Sequence, residues 1–435
     1  MPKVAFYTLG CKVNQYESDA MAELFLKRGY EVVEFNDKAD IYVINTCDVT
    51  NESARKSRQI IRKASRKNPE AKVAVVGCYA QLEHDEVLKL PGVSVVVGTK
   101  DRNNIVDLVE KANKDDSPVI AVEDIMKERA FEEIAFKGYR QKTRAFLKIQ
   151  DGCNMFCSYC IIPYARGPLR SRPIESIITE AQNLSKDGFK EIVLTGIHLG
   201  LYGFDFNDGK KHLSEVIGRL SQVDGIERIR LSSIEAIELT DDFLDDLLKT
   251  KSFCHHFHIP LQSGCDSVLF RMNRRYTTNN IRERIKHIRS IMPDVSITTD
   301  VIVGFPGETE EEFLQTKNFV REMKFSKLHV FPFSAKQGTA AAKMPNQIKK
   351  SIKSERAHEL IQLSDELERE FRRHFVSTIK EVLFEEKKNN DIYEGLTENY
   401  IKVIVQSNKN LHNKILTVRL EENLKDYIYG SLIKI

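Results

Sequence analysis

The chain has 435 residues, with 66 Lys and Arg against 63 Asp and Glu, a formal charge of +3, and 41% hydrophobic and 30% charged residues. That length suggests about three domains, and the balance excludes a disordered, histone-like or small disulfide-stapled protein. No apolar run reaches the roughly 18–20 residues of a membrane helix, and MPKVAFYTLG enters a strand pattern with no signal peptide, so a cytoplasmic protein with no membrane partner is expected. Its eight cysteines are then expected to bind metal, react or pack rather than to pair.

Residues 1–110 alternate short apolar runs at 4–9, 41–44, 73–76 and 93–97 with helix-length stretches near 17–28, 51–67 and 102–113. This rhythm predicts βαβ units and a mostly parallel sheet covered on both faces. Residues 114–142 lose periodicity and read as a linker with one stray strand. Beyond 143, strands are expected at 146–149, 192–194, 229–232, 257–261, 297–303 and 328–333, with helices near 174–187, 213–222, 241–248, 278–291 and 309–323. Six βα units make a partial (β/α)6 barrel, a fold that places its chemistry at the carboxyl ends of the strands. A charged helix over 348–377 precedes five short period-two strands near 381–385, 393–396, 400–405, 415–420 and 427–432, which predict a small antiparallel β-barrel of the OB type. The fold class is therefore α/β: an amino-terminal parallel-sheet domain over 1–113, a partial barrel with a trailing helix over 143–370, and a terminal β-barrel over 371–435.

The most specific motif is CNMFCSYC, which sets Cys153, Cys157 and Cys160 in a Cys-x3-Cys-x2-Cys array after the first barrel strand. Three thiolates at this spacing can wrap one face of a cubane cluster and leave its fourth iron open to a substrate. A zinc knuckle would need a fourth ligand that the loop does not offer, and buried packing thiols are the plain alternative. Cys11, Cys47 and Cys78 lie far apart in sequence, yet each immediately follows an expected strand, in FYTLGC, YVINTC and VAVVGC. The carboxyl ends of an open parallel sheet share one edge, so the three can converge at its ligand-binding crevice; otherwise they are small apolar caps on strands. Gly10 and Gly77 would allow tight turns around a bulky group. Cys254 and Cys265 stand alone. Cys254 neighbours His255, His256 and His258, but adjacent strand residues point to opposite faces, so packing is expected, with His258 facing the site.

The barrel with its cysteine loop resembles the radical S-adenosylmethionine (SAM) superfamily, Tyr159 standing at that superfamily's hydrophobic position beside the adenine. The resemblance implies that the methionine amine and carboxylate of SAM chelate the open iron and that one electron releases a 5′-deoxyadenosyl radical. Strand-end stretches where the cofactor would lie offer Thr195 and Gly196 in LTGIHLG, Ser232 and Glu235 in RLSSIE, Gln262 in HIPLQSG, and Asp300 and Gly304 in DVIVGFPGET. Glycine admits close backbone approach, and hydroxyl, amide or carboxylate groups can hold ribose or the methionine moiety. Turn geometry is the plain reading of Gly196, Gly304 and Gly307.

GCKVNQYES, NTC and GCYAQ resemble the three amino-terminal signatures of the methylthiotransferases, radical SAM enzymes with an auxiliary 4Fe-4S cluster on three such cysteines. The resemblance makes the terminal barrel a TRAM domain, a small RNA-binding β-barrel. GCKVNQYES and HIPLQSGCDSVLFRMNRRYT look most like the branch that modifies N6-threonylcarbamoyladenosine beside the tRNA anticodon; the isopentenyladenosine and ribosomal-protein branches share the catalytic parts. It implies methylthio insertion at ring carbon-2, two 4Fe-4S clusters, two SAM equivalents per turnover, a reducing electron donor, a sulfur source and the tRNA anticodon stem-loop as substrate. The target adenosine is expected to leave its stack. A non-catalytic iron–sulfur RNA-binding protein would explain the cysteines but not the strand-end motifs. A monomer is expected, since no hydrophobic surface helix demands a partner.

Charge is unevenly distributed. Residues 137–172 carry Lys137, Arg140, Lys142, Arg144, Lys148, Arg166, Arg170 and Arg172 against Asp151 alone, and 51–72 carry eight basic residues against Glu52 and Glu70. Beside two cysteine sets these runs predict a positive field drawing in RNA, although one run alone would be an ordinary solvated helix face. Tyr393, Tyr400, Tyr427 and Tyr429 of the terminal barrel either stack unpaired bases or fill its core.

Overall fold

The computed structural model describes residues 1–112, 117–134, 143–206, 208, 212–388 and 391–433. The amino-terminal part runs β1 (Lys3–Thr8), α1 (Lys12–Lys27), β2 (Glu31–Val33), β3 (Ile41–Thr46), α2 (Asn51–Lys67), β4 (Lys72–Gly77), α3 (Cys78–Leu82), α4 (His84–Leu88), β5 (Val93–Val97), α5 (Ile105–Lys111) and β6 (Val119–Ala121). Its six strands pair in parallel in the order β2-β1-β3-β4-β5-β6. The apolar runs are continuous because both faces are covered. Val43 and Val76 pack with Phe25 and Ile105 of α1 and α5, whereas Tyr42, Ile44 and Val75 pack with Ile61 and Tyr79 of α2 and α3. The strand expected within 114–142 is β6; β2, three residues at the sheet edge, is too short to announce itself by period.

The second unit starts with β7 (Arg144–Lys148). A two-residue antiparallel pair, β8 (Gln150–Asp151) and β9 (Arg170–Ser171), then brackets the cysteine loop and α6 (Ile162–Arg166). There follow α7 (Ile174–Lys186), β10 (Glu191–Thr195), α8 (His212–Leu220), β11 (Arg228–Leu231), α9 (Asp241–Lys249), β12 (His256–His258), α10 (Asp266–Arg271), α11 (Thr278–Ile291), β13 (Ser296–Val303), α12 (Glu310–Met323) and β14 (Lys327–Pro332). Six parallel strands curve in the order β7-β10-β11-β12-β13-β14. Between β11 and β12 the join is only two isolated bridges, Ile229 to Phe253 and Ser233 to His258. This is the expected open partial barrel. Its strand β12 stops before the 257–261 run ends because Pro260 has no N–H to donate.

The helix α13 (Lys350–Arg373) lays Ala357, Leu360, Leu363 and Leu367 on the barrel core. The last unit is a closed barrel of β15 (Ile379–Lys387), β16 (Ile392–Thr397), β17 (Lys402–Gln406), β18 (Ile415–Asn423) and β19 (Ile428–Leu432), in the order β15-β16-β17-β19-β18. It is not wholly antiparallel as expected: β19 inserts between β17 and β18 and so runs parallel to β17. Arg228 and Arg230 hold it on the partial barrel, donating to the carbonyls of Leu396 at 2.9 Å, Glu381 at 2.9 Å and Glu398 at 2.8 Å. Among the described residues no helix is long and apolar enough to cross a membrane.

Candidate active site

In the first sheet the chain steps from β1 out to β2 and then back across to β3, so the direction of winding reverses between β1 and β3. Such a reversal opens a crevice at the carboxyl edge. Cys11 follows β1, Cys47 follows β3 and Cys78 follows β4, three neighbouring strands, so the fold brings the three thiols to that crevice. Each sits at a strand-to-helix turn, and Thr50 starts α2 so close behind Cys47 by exchanging hydrogen bonds with Ser53 at 3.1 and 2.9 Å. Gly10 and Gly77 hold φ of +106° and +94°. A Cβ on Gly10 would come within 3.2 Å of the Cys47 sulfur, and one on Gly77 within 2.4 Å of Asn45 Oδ1, so the turns close only around glycine.

The loop with Cys153, Cys157 and Cys160 faces the same space. Its path is fixed by Cys153 N–H on Gly167 O at 3.0 Å, Ser158 N–H on Met272 O at 3.0 Å and Cys160 N–H on Cys157 O at 2.9 Å. All six thiols line one cavity of about 790 Å³. Burial pushes the Cys78 and Cys160 thiols up to about 12, so both stay protonated until a metal displaces the protons. Every cysteine is unpaired. Two sets of three soft sulfur donors, with no fourth cysteine at either set, fit iron–sulfur clusters with one open iron better than closed zinc sites.

Two residues that sequence reasoning missed support the loop. His198 Nδ1 lies 3.7 Å from Cys153 Sγ while its Nε2 meets Glu238 Oε1 at 2.5 Å. Burial opposes its charge, but Cys153 and Glu238 outweigh burial and raise it to about 10. Arg274 donates to Cys157 Sγ at 3.3 Å, to Glu235 Oε1 at 2.6 Å and to the Tyr276 hydroxyl at 2.9 Å. His198 sits in LTGIHLG and Arg274 in RMNRRYT, beside stretches already singled out; no local signal separated them from their neighbours.

Tyr159, Gly196, Glu235, Gln262 and Asp300 all line the cavity. Glu235 is 8% exposed and its Oε2 is buried without a partner in the protein, which suits a polar ligand. A Cβ on Gly196 would meet Gln150 Oε1 at 2.8 Å. Three of the expected residues are not among those lining the cavity. Thr195 is buried within the β10–β7 pairing. Ser232, just past the end of β11, is buried with its N–H on Leu194 O, and the neighbouring Ser233 lines the cavity. Gly304 has φ of +69°, gives its N–H to Glu308 Oε1 at 2.8 Å and packs on Lys353, where a Cβ would come within 2.2 Å. His258 reaches the wall residue Asp300 at 3.2 Å, and Cys254 and Cys265 are buried away from the cavity.

The expected positive field over 137–172 is also corrected. Lys137, Arg140 and Lys142 lie outside the described residues. Lys148, Arg166, Arg170 and Arg172 are buried and spent on internal acceptors: Lys148 on Glu17 at 2.8 Å and Asp151 at 2.6 Å, Arg166 on Glu17 and Asn14, Arg170 on Arg166 O at 2.9 Å, Arg172 on Glu180 at 2.6 Å. Arg144 pairs with Glu385 at 2.5 Å. By contrast Arg55, Lys56, Arg62, Lys63 and Arg66 are exposed along α2, and Lys56 reaches the cavity rim. Of the tyrosines, Tyr393 fills the terminal barrel core and Tyr400 stacks on His256 at 4.7 Å, so neither is free for a base.

A family model described as "Uncharacterized protein family UPF0004" matches residues 3–98, and one described as "Radical SAM superfamily" matches residues 147–320. Over 441 aligned residues the chain is 46% identical to the threonylcarbamoyladenosine tRNA methylthiotransferase MtaB of Bacillus subtilis, covering 100% of this chain and 97% of that one. The chain belongs to the MtaB branch of the radical SAM methylthiotransferases. A tRNA-2-methylthio-N(6)-dimethylallyladenosine synthase of Methylacidiphilum infernorum is 33% identical over 99% of this chain and 95% of its own. The fold likeness extends to the radical SAM methyltransferase TsrM of Kitasatospora setae, with a TM-score of 0.54 at 15% identity over 76% of this chain and 73% of that one. Membership brings iron–sulfur and SAM chemistry to this chain.

Proposed function

We propose that this methylthiotransferase inserts a methylthio group at ring carbon-2 of N6-threonylcarbamoyladenosine next to the anticodon of tRNA. The observation that carries the reading is the convergence of two cysteine triads, from two separate folding units, on one cavity. An aromatic C–H is inert to acid–base chemistry, so its replacement calls for a radical generator and a sulfur carrier within reach of one carbon. Cys153, Cys157 and Cys160 hold one 4Fe-4S cluster, and Cys11, Cys47 and Cys78 hold the second. When bound, the clusters and two equivalents of SAM supply the radical and the methylated sulfur.

The chain's own residues bind and orient. Tyr159 offers an apolar wall and Gly196 close backbone approach; Ser233, Glu235, Gln262 and Asp300 offer polar groups to ribose and methionine. His198 and Arg274, on the cavity wall, hold Cys153 and Cys157 in place. The exposed basic face of α2 leads from solvent to the cavity rim and suits the phosphates of an anticodon stem-loop. In this reading residues 1–113 form the methylthiotransferase domain, 114–142 a linker, 143–370 the radical SAM core and 371–435 an RNA-binding TRAM barrel. The protein works in the cytoplasm as a monomer with a reducing electron donor and a sulfur source.

Nucleoside mass spectrometry of tRNA from cells lacking the protein tests this. The expected result is loss of the 2-methylthio derivative of threonylcarbamoyladenosine, restored by the wild-type chain and not by Cys157→Ala. An unchanged nucleoside profile, or loss of the isopentenyl derivative instead, overturns it.

A further inference from the structure

Residues 334–341 follow β14 and run from one cysteine set to the other. At one end the Lys336 ammonium meets Asp48 Oδ1 at 2.8 Å and Glu83 Oε1 at 3.4 Å. Asp48 is the residue after Cys47, and Glu83 is the residue after α3, the short helix that Cys78 begins. The adjoining Ser334 hydroxyl and Ala335 carbonyl accept from the N–H and the side-chain amide of Asn51, each at 3.1 Å. At the other end the Ala341 N–H donates at 2.7 Å to the carbonyl of Ser158, the residue after Cys157. Between the two ends Thr339 locks the turn, its N–H and hydroxyl both donating to Lys336 O, at 3.2 and 2.7 Å. One short strap of the partial barrel thus grips both the Cys47 and Cys78 turns and the Cys157 loop.

Asp48 is 0% exposed and Lys336 4%, so their ion pair is desolvated on both sides. Such a pair adds little net stability, because the cost of taking both charges out of water offsets their attraction. What it supplies is a fixed arrangement, since either charge buried away from the other is costly. The second carboxylate oxygen of Asp48 is buried without a hydrogen-bond partner, which leaves Lys336 as the match for this charge. Arg166 plays the corresponding part for the remaining cysteine of the set: from α6, just past Cys160, it holds Asn14 and Glu17 of the helix that follows Cys11. The two grips fasten the amino-terminal cysteine turns to the partial barrel, and all six thiols line the cavity they share.

We infer that Lys336 is a positioning residue, which holds the Cys47 and Cys78 turns at a set distance from the Cys153–Cys157–Cys160 loop and so couples SAM cleavage to methylthio transfer. The inference rests on the two-cluster reading proposed above. Lys336 acts through the cysteine turns: a small displacement of one reacting centre from the other leaves radical formation intact and costs the transfer step.

The test compares cluster-loaded wild type with Lys336→Met, Lys336→Arg and a double variant, Lys336→Met with Asp48→Asn. The double variant leaves neither charge of the pair and covers the case in which Lys336→Met, with its unmatched carboxylate, fails to fold. Its iron content and its release of 5′-deoxyadenosine from SAM are expected to match wild type. The dipolar interaction between the two reduced clusters, read by pulsed EPR, should broaden or weaken in it. Methylthiolated nucleoside formed per 5′-deoxyadenosine released, on an anticodon stem-loop RNA carrying threonylcarbamoyladenosine, should fall by about tenfold or more. Lys336→Arg should restore part of both. An unchanged dipolar interaction or an unchanged product ratio in the double variant overturns the inference, and so does loss of its iron, which would make the pair a folding element. A wild type with two interacting clusters and no methylthiolated product overturns the substrate reading, and the dipolar result then decides the inference alone. A wild type with no dipolar interaction overturns the two-cluster reading and the inference with it.

Discussion

Arg166 grips Glu17 with both prongs of its guanidinium, Nη1 to Oε1 at 2.5 Å and Nη2 to Oε2 at 3.0 Å, across the boundary between the first sheet domain and the partial barrel. Glu17 also meets Lys148 at 2.8 Å and Arg102 at 2.5 Å, all of them buried. One carboxylate therefore serves three cations, and Arg166 itself lines the cavity beside Cys78. Glu17→Gln leaves those charges buried and short of a partner. It should destabilise the protein by about 3–5 kcal/mol, read as a lowered denaturant midpoint; a loss below about 1 kcal/mol would show that the network relaxes without cost.

The same residue sets an acid dependence. Burial alone would raise the Glu17 carboxyl, but Arg102, Arg166 and Lys148 overcome it and hold it at about 2. An unfolded glutamate titrates near about 4.3. Below that value the unfolded chain takes up a proton that the native one refuses, so this contribution is fully present above about pH 4.3 and is lost as pH falls toward 2. The wild-type denaturant midpoint should fall more steeply than that of Glu17→Gln between about pH 4.5 and pH 2.5. Parallel profiles would refute the assignment.

The two cysteine sets should separate chemically. Cys78→Ala should lower iron to about half the wild-type content and keep SAM cleavage under reducing conditions. Cys157→Ala should lose a similar share of iron and lose SAM cleavage with it. Iron analysis and release of 5′-deoxyadenosine are the readouts, and a Cys78→Ala protein with full iron removes Cys78 from the ligand set.

Arg274 places a positive charge and a hydrogen bond on Cys157 Sγ. Both favour the more negative, reduced state of a cluster held there. Arg274→Met should shift its midpoint potential negative, on the order of tens of millivolts, in an EPR-monitored titration. A positive shift, or none, would confine Arg274 to its pairing with Glu235.

Much of this was legible in sequence because it depends on local spacing. Cys153, Cys157 and Cys160 declare themselves by interval, and Cys11, Cys47 and Cys78 by their shared place after strands. The basic run over 137–172 misled for the opposite reason. Lys148 and Arg166 are neutralised by Glu17 and Arg144 by Glu385, partners that only folding brings near, and a charge tally along the chain cannot register a carboxylate 149 or 241 residues away; Arg172 finds Glu180 just beyond that run. Ser232 differed from Ser233 by one step of strand alternation at the point where the strand ends, where the period no longer decides direction. His198 and Arg274 matter through sulfur contacts that exist only once β10, α10 and the loop are assembled.

The arginines that seat the terminal barrel reach for carbonyl oxygens, a group that every residue presents alike. Arg228 and Arg230 therefore read the path of that barrel's backbone, but Arg230 also lies 4.5 Å from the Tyr400 ring and Arg144 pairs with Glu385, so an aromatic ring and a carboxylate of the barrel belong to its seat as well. A barrel transplanted from a distant relative should settle in the same way only where it brings a ring and a carboxylate to those two places.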